Sequence, residues 1–237
     1  MPSTPSSSPT TASPASRTAA ASKPRTPRLA PAERERQIIE GAIAYFAEVG
    51  FTGQTRELST RLGITQPLLY RYFENKQALV ERVYKTVFEG RWDPAWIALI
   101  EDRSLPLRER LVEFYRRYSK ATYRPDWIRI YLHAGLSQPA LNRRYIGLVR
   151  RELLPAWCRE MRHECGLPDT GTPVSEEEIE FVWSLHGGIF YLALRQHVYK
   201  TRIKVDFMTH VGFAVDNFLA GARVTYPRLV EAVARTA

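Results

Sequence analysis

Gln66, Leu68 and Arg71 lie close together, with Pro67 between the first two, and Thr55, Thr65, Tyr70, Tyr72 and Lys76 surround them. A carboxamide can form two parallel hydrogen bonds with the edge of adenine. A guanidinium can do the same with guanine or hold a phosphate, and an isobutyl group offers only apolar contact, such as with a thymine methyl. Hydroxyls and an ammonium at helix starts satisfy anionic oxygens, assisted there by free backbone N–H groups and the helix dipole. Phenol hydroxyls are long enough to reach a sugar-phosphate backbone from beside a groove. The chemistry these residues offer is recognition of a duplex, with Gln66, Pro67, Leu68 and Arg71 toward the bases and Thr55, Thr65, Tyr70, Tyr72 and Lys76 toward the phosphates.

Such side chains act together only if short helices hold them. The run from Gly50 to Leu79, GFTGQTRELSTRLGITQPLLYRYFENKQAL, predicts two, Thr55 to Leu62 and Gln66 to Tyr72, separated by Gly63, Ile64 and Thr65. That is a tight helix-turn-helix, whose second helix presents its leading residues to a major groove. Pro67 is tolerated in a first turn, where no intrahelical N–H bond is lost. Leu58, Leu62, Ile64, Leu69, Phe73 and Leu79 supply a three-helix core. The preceding helix starts after Pro31, buries Ile38, Ile39, Ala42, Ile43 and Phe46, and ends at Gly50 with Phe51 folding back. Asn75 caps a longer helix carrying Leu79, Val80, Val83, Tyr84 and Phe88.

The same run resembles the DNA-binding domain of tetracycline-repressor-type (TetR/AcrR-type) regulators. The likeness rests on Gly50-Phe51, Thr55-Arg56-Glu57-Leu58, Leu62-Gly63-Ile64-Thr65, Leu69-Tyr70-Arg71-Tyr72-Phe73, Asn75-Lys76 and Leu79. It implies phosphate contacts from Thr55, Thr65, Tyr70, Tyr72 and Lys76 and base contacts from Gln66, Pro67 and Arg71, with Arg56 joining the base readers in some relatives. At Leu68 the chain departs from the Gly, Thr or Ser commoner in such regulators. The resemblance further implies a homodimer that binds palindromic operator DNA and is released by a small-molecule effector. Activation in place of repression, or a helical enzyme with an accessory helix-turn-helix, are the alternatives.

Beyond Trp92 the pattern stays helical, with Pro, Gly and Asn as punctuation and no alternating strand, so the expected fold is all-α with about nine to ten helices. Helices are expected near Pro94–Glu101, Pro106–Thr122, Asp126–Leu136, Pro139–Cys165 kinked or divided at Pro155, Ser175–Tyr199, Val205–Arg223 and Pro227 to the end, with a loop at 166–173. Residues 32–90 are expected to be the DNA-binding domain and residues 91–237 a larger helical domain for effector and partner. Phe181, Leu185, Gly188, Ile189, Leu192, Val211 and Phe218 are candidates for a four-helix interface with a second copy, of the kind the resemblance implies. Trp96, Phe114, Tyr118, Trp127, Tyr131, Trp157 and Phe190 are candidates for lining an effector pocket, because such sites are mostly apolar and aromatic.

The net charge of +9 favours polyanionic partners. Residues 1–31 are rich in Ser, Thr, Pro and Ala and carry Arg17, Lys23, Arg25 and Arg28 without an acid. They read as a disordered basic tail, either an inert extension or a source of nonspecific DNA affinity through counterion release. No apolar run approaches the roughly 18 residues needed to cross a bilayer, and no signal-type stretch is present, so no membrane association and a cytoplasmic location are expected. The five histidines lack paired ligand spacing, and neither GxxxxGK, GxSxG nor HExxH occurs. Neither a metal, a cofactor nor a catalytic role is therefore expected. Cys158 and Cys165, seven apart on one helix, sit about 10 Å apart along its axis and are expected as reduced thiols.

Overall fold

The computed structural model describes residues 30–168 and 171–236. The basic tail falls almost wholly outside the described residues. Among them the regular structure is helical, with α1 (Pro31–Val49), α2 (Thr55–Arg61), α3 (Gln66–Tyr70), α4 (Lys76–Val87), α5 (Ala95–Glu101), α6 (Leu107–Thr122), α7 (Pro125–Ser137), α8 (Pro139–Leu148), α9 (Leu154–Glu164), α10 (Glu176–His197) and α11 (Phe207–Thr236).

The first helices form for the reasons their sequence predicts. Pro31 occupies the first turn of α1, and Gly50 ends it at φ 77° with its N–H bonded to the Phe46 carbonyl. Phe51 is buried against Phe46, ring centroids 5.2 Å apart. Gly63, at φ 64°, turns the chain from α2 into α3 and costs no Cβ strain there. The Thr65 hydroxyl caps α3 by accepting from the Leu68 N–H, and the Asn75 side chain caps α4 by accepting from the Ala78 N–H at 2.9 Å.

Two prolines shape the later helices differently. The segment Pro139–Cys165, expected to be kinked or divided at Pro155, is divided just before it, into two helices joined by a π-helical turn, Val149–Leu153. That turn resets the hydrogen-bond register so that Pro155 falls in the first turn of α9, where a missing N–H leaves nothing unpaired. Conversely, α11 runs through Pro227 where a break was expected. Tyr226, fully buried, donates from its hydroxyl to Glu178 at 2.8 Å and so anchors α11 to α10 on the residue next to the proline. The cost of an interior proline, about 3 kcal/mol, is offset by this packing.

α1 and α4 frame the helix-turn-helix, and α1 packs against α7. Around α7 the later helices pack in pairs: α5 on α6, α7 on α8, α9 on α10, and α10 beside α11, which also covers α6. One contiguous apolar core runs from Ile38 in α1 to Tyr226 in α11. Phe88, just past α4, belongs to both halves: its ring meets Trp127 at 5.1 Å and Tyr145 at 5.5 Å.

Buried ion pairs fix the far end. Glu178 accepts from the Arg162 guanidinium through both carboxylate oxygens at 2.7 Å, closes the capping box of α10 with Ser175, and receives the Tyr226 hydroxyl. Burial pushes the Glu178 carboxyl up, but these donors outweigh it and hold the group below the ordinary glutamate range. Cys158 is buried and Cys165 half-buried, and both are free thiols.

Candidate nucleic-acid interface and aromatic cavity

α3 is short, and its position is fixed from beneath. Leu69 is fully buried, so the opposite side of the helix faces outward. The Thr55 hydroxyl, at the start of α2, pairs with the Tyr70 hydroxyl at 2.9 Å and accepts from the Gln66 carboxamide at 3.2 Å. These bonds tie the first and last residues of α3 to α2 and hold the Gln66 side chain in one orientation.

The predicted contact residues fall into three groups. Arg56, Thr65, Pro67, Tyr70 and Arg71 are exposed; Gln66, Leu68, Tyr72 and Lys76 are half-buried; Thr55 is buried beneath Tyr70 and Gln66. Of the cations here, Arg56 of α2 and Arg71, the C-cap of α3, are exposed and Lys76 in the first turn of α4 is half-buried, and α3 itself carries no acid. Glu57, on α2, is engaged elsewhere: it accepts from the Tyr45 hydroxyl at 3.0 Å and from Arg61 at 2.8 Å. Thr65, expected to serve a phosphate, already caps α3; a hydroxyl accepting one N–H can still donate outward.

Three arginines and a histidine join the helix-turn-helix to the rest of the chain. Arg129 of α7 donates to the Ala47 carbonyl at the C-terminus of α1, at 2.6 Å. His133, one turn on, packs over Gly50, where a Cβ would lie 2.9 Å from its Nδ1. Arg91 pairs with Asp126 at 2.6 Å. Arg144 of α8 reaches Glu81 and Glu89 at 2.8 and 2.7 Å, with its guanidinium 4.2 Å from the centre of the Tyr84 ring.

Behind this seam lies an aromatic cavity of about 60 Å³. Tyr118, Trp127, Tyr131 and Phe190, all expected at a pocket, line it, as do Tyr123, Tyr145, Trp183 and His186, which sequence reasoning missed. Trp96, Phe114 and Trp157, also expected there, are instead core: Trp96 and Phe114 pack edgewise or tilted on the Tyr118 ring at 4.9 and 5.1 Å, and Trp157 sits behind Tyr115. Helical spacing brings an aromatic residue inward without saying whether a void or a neighbour meets it.

The polar atoms around the cavity are few. Tyr118 and Tyr145 share a hydroxyl pair at 2.7 Å, and the Tyr115 hydroxyl meets His186 Nδ1 at 3.3 Å. Burial pushes the His186 imidazole down to about 4, so the ring is neutral at pH 7. The Tyr123 hydroxyl and Trp127 Nε1 are buried with no hydrogen-bond partner. An unmet buried donor costs about 1–3 kcal/mol. A larger open cleft of about 700 Å³ near Arg103, Arg159 and Arg162 is polar, but its arginines already face Glu160, Glu101 and Glu178.

On α10 and α11 the helix faces divide the residues expected at a second copy. Leu185, Ile189, Leu192 and Val211 are buried within the protomer, whereas Gly188 is exposed and Phe181 and Phe218 are half-buried. Residues 185, 189 and 192 share one α10 face, and that face is the one turned into the chain's own core. The apolar side chains that these helices turn outward are Tyr191, Phe213 and Val224, each more than half exposed.

The family model described as bacterial regulatory proteins, tetR family, matches residues 38–83, the segment that builds this helix-turn-helix. Through this segment the chain is similar to the tetR family. Curated relatives matching it include the tetracycline repressor protein class A from transposon 1721 of Escherichia coli, 31% identical over 85 residues, and the class C repressor of Escherichia coli, 29% identical over 85 residues. These alignments cover 32% of this chain and 39% of each repressor, so the chain matches about two-fifths of the length of those relatives. Solved structures extend the likeness of fold to the rest. A TetR-like transcriptional regulator from Rhodococcus sp. RHA1 aligns with a TM-score of 0.61 at 20% identity, over 82% of this chain and all of its own. A tetR-family regulator from Streptomyces coelicolor aligns at 0.59 and 20%, over 88% and 89%. Among the described residues no helix is long and apolar enough to cross a membrane.

Proposed function

We propose that this chain is a homodimeric transcriptional repressor of the tetR family that binds palindromic operator DNA through α3 and releases it when a small molecule occupies the aromatic cavity. The observation that carries the reading is the outward, acid-free face of α3, held by the Thr55 bonds to Tyr70 and Gln66 and flanked by Arg56 and Lys76. Gln66, Pro67, Leu68, Arg71 and Arg56 read bases, and Thr65, Tyr70, Tyr72 and Lys76 hold phosphates. Thr55 serves chiefly to position Tyr70 and Gln66. Residues 32–90 form the DNA-binding unit and residues 91–237 the effector and dimer unit.

The dimer face is the outward side of α10 and α11, with Gly188 permitting close approach and Tyr191, Phe213 and Val224 supplying apolar surface. A twofold axis there sets two copies of α3 for successive major grooves, about 34 Å apart. α7 carries the signal. Its Trp127 and Tyr131, one turn apart, line the cavity, while Arg129 and His133 on another face hold the end of α1. An effector that widens the cavity displaces α7 and with it α1, altering the spacing of the two recognition helices. Linkage requires operator DNA to weaken effector binding by the same factor.

A nuclease footprint of the purified protein on the DNA upstream of its own coding sequence tests the reading. A protected palindrome, bound by two copies, is expected. Protection without sequence preference refutes it.

A further inference from the structure

We infer that the cavity takes an uncharged, planar aromatic compound bearing a hydrogen-bond acceptor of carbonyl type, an assignment that rests on reading the cavity as the effector site. Three features fix the class. The first is shape: the Trp127 and Tyr131 rings stack at 5.0 Å and 9°, and Phe190 stands edgewise to Tyr131 at 5.4 Å. Flat walls of this kind favour a ring over a branched aliphatic chain.

The second feature is the pair of unmet donors. Tyr123 and Trp127 both line the cavity, and the Tyr123 hydroxyl and Trp127 Nε1 are buried without a partner. An indole N–H donates and cannot accept, so the ligand atom that satisfies it is an acceptor. A carbonyl oxygen, with two lone pairs, can serve one such donor or both.

Charge is the third. None of the lining side chains of this cavity is acidic or carries a lysine or arginine charge, and burial keeps the one imidazole, His186, neutral. An anion would find donors but no counter-charge. A cation would find ring faces but no carboxylate, and its lost hydration would go largely uncompensated.

The volume gives the binding event its consequence. About 60 Å³ is less than the roughly 150 Å³ of an apolar cavity that holds benzene. A single ring therefore enters only by moving walls. The half-buried ones are Tyr131 on α7, Ile146 on α8, and Trp183, Gly187 and Phe190 on α10.

Calorimetric titration of the full-length protein with four matched compounds tests the class: acetophenone, ethylbenzene, 1-phenylethylammonium and benzoate. Acetophenone is expected to bind once per chain and about tenfold tighter than ethylbenzene, which keeps the ring and lacks the acceptor. The ammonium and benzoate are expected at least about a hundredfold weaker than the ketone. In Tyr123→Phe and Trp127→Phe the preference for ketone over hydrocarbon, taken as a ratio within each variant, should shrink toward unity, a pattern that mere loss of packing does not produce. An ammonium that binds as tightly as the ketone, or a ketone preference unchanged in both variants, overturns the inference. Absence of binding by all four overturns it too. If that same preparation still retards its operator DNA, the DNA-binding reading stands and the assignment of the cavity falls.

Discussion

Taking the protein from pH 7.5 to pH 5 titrates a ring that the fold holds neutral. His186 is buried between Tyr115, whose ring stacks on it at 6.0 Å, and Tyr118, edgewise at 5.3 Å, with Trp183 at 6.4 Å. No acid or base of ordinary charge faces it, and burial alone pushes it down to about 4. In the unfolded chain the same imidazole titrates near 6.5. Because the folded value is the lower one, the unfolded state takes up its proton first as pH falls. Stability fully present above about 6.5 is therefore lost progressively until about pH 4. The whole interval, 6.5 minus 4, corresponds to ~3 kcal/mol, and stopping at pH 5 crosses enough of it to cost ~2 kcal/mol.

The floor of pH 5 lies above the ordinary glutamate range, and the donors around Glu160 and Glu178 hold those carboxyls lower still despite their burial, so neither contributes in this window. His133 and His197 are also pushed down, mainly by burial, and weaken any variant equally. Comparing wild type with His186→Gln therefore isolates the one ring. Urea unfolding followed by tryptophan fluorescence at pH 7.5 and 5 should show the wild type losing ~2 kcal/mol more than the variant. Equal losses in both proteins would refute the argument that burial keeps His186 neutral.

Two further outcomes follow from the packing. Glu178→Ala leaves the Arg162 charge buried without its carboxylate and should cost ~3–5 kcal/mol in urea unfolding, whereas the double variant Arg162→Met with Glu178→Leu should recover most of that loss; a single variant within ~1 kcal/mol of wild type contradicts the pairing. Phe213→Glu places two carboxylates across the proposed twofold axis and should weaken the dimer at least ~tenfold in sedimentation experiments, with protomer stability changed by less than ~0.5 kcal/mol, since Phe213 is exposed in the protomer. An undiminished dimer excludes that face.

How much of this was legible in the sequence depends on how local the determinants are. Gly50, Gly63, Thr65 and Asn75 act through their own backbone neighbours, so α1 to α4 follow from reading the chain in order. The proposed contact residues of α3 are legible for the same reason: with Leu69 inward, a helix this short leaves the rest exposed or half-buried. What could not be read is anything decided by a partner far along the chain. The Thr55 bonds to Tyr70 and Gln66 span 15 and 11 positions, and the pairing of Arg103 and Arg110 with Glu160 spans 57 and 50.

The cavity shows the same limit. An aromatic residue at helical spacing points inward, and only tertiary packing separates Tyr131, which meets a void, from Trp157, which meets Phe114 and Tyr115. Tyr123, immediately after α6, belongs to no periodic pattern, and His186 looks in sequence like one more position on the inner face of α10. The dimer candidates on α10 meet the same limit. Its most apolar positions, Leu185, Ile189 and Leu192, are those that the protomer buries for itself, and the face it leaves outward, around Gly188 and Tyr191, is more mixed.

The central claim is that α3 reads bases while its neighbours hold the backbone, and the most direct measurement compares operator selectivity across three variants. Binding of wild type, Gln66→Ala, Arg71→Ala and Lys76→Ala to a library of operators, each altered at one base pair, should show Gln66→Ala and Arg71→Ala each losing discrimination of ~1–3 kcal/mol at a single position of the half-site. Lys76→Ala should weaken every sequence alike and lower the salt dependence by about one counterion. Uniform weakening by all three, with the base preferences of wild type intact, would contradict the account.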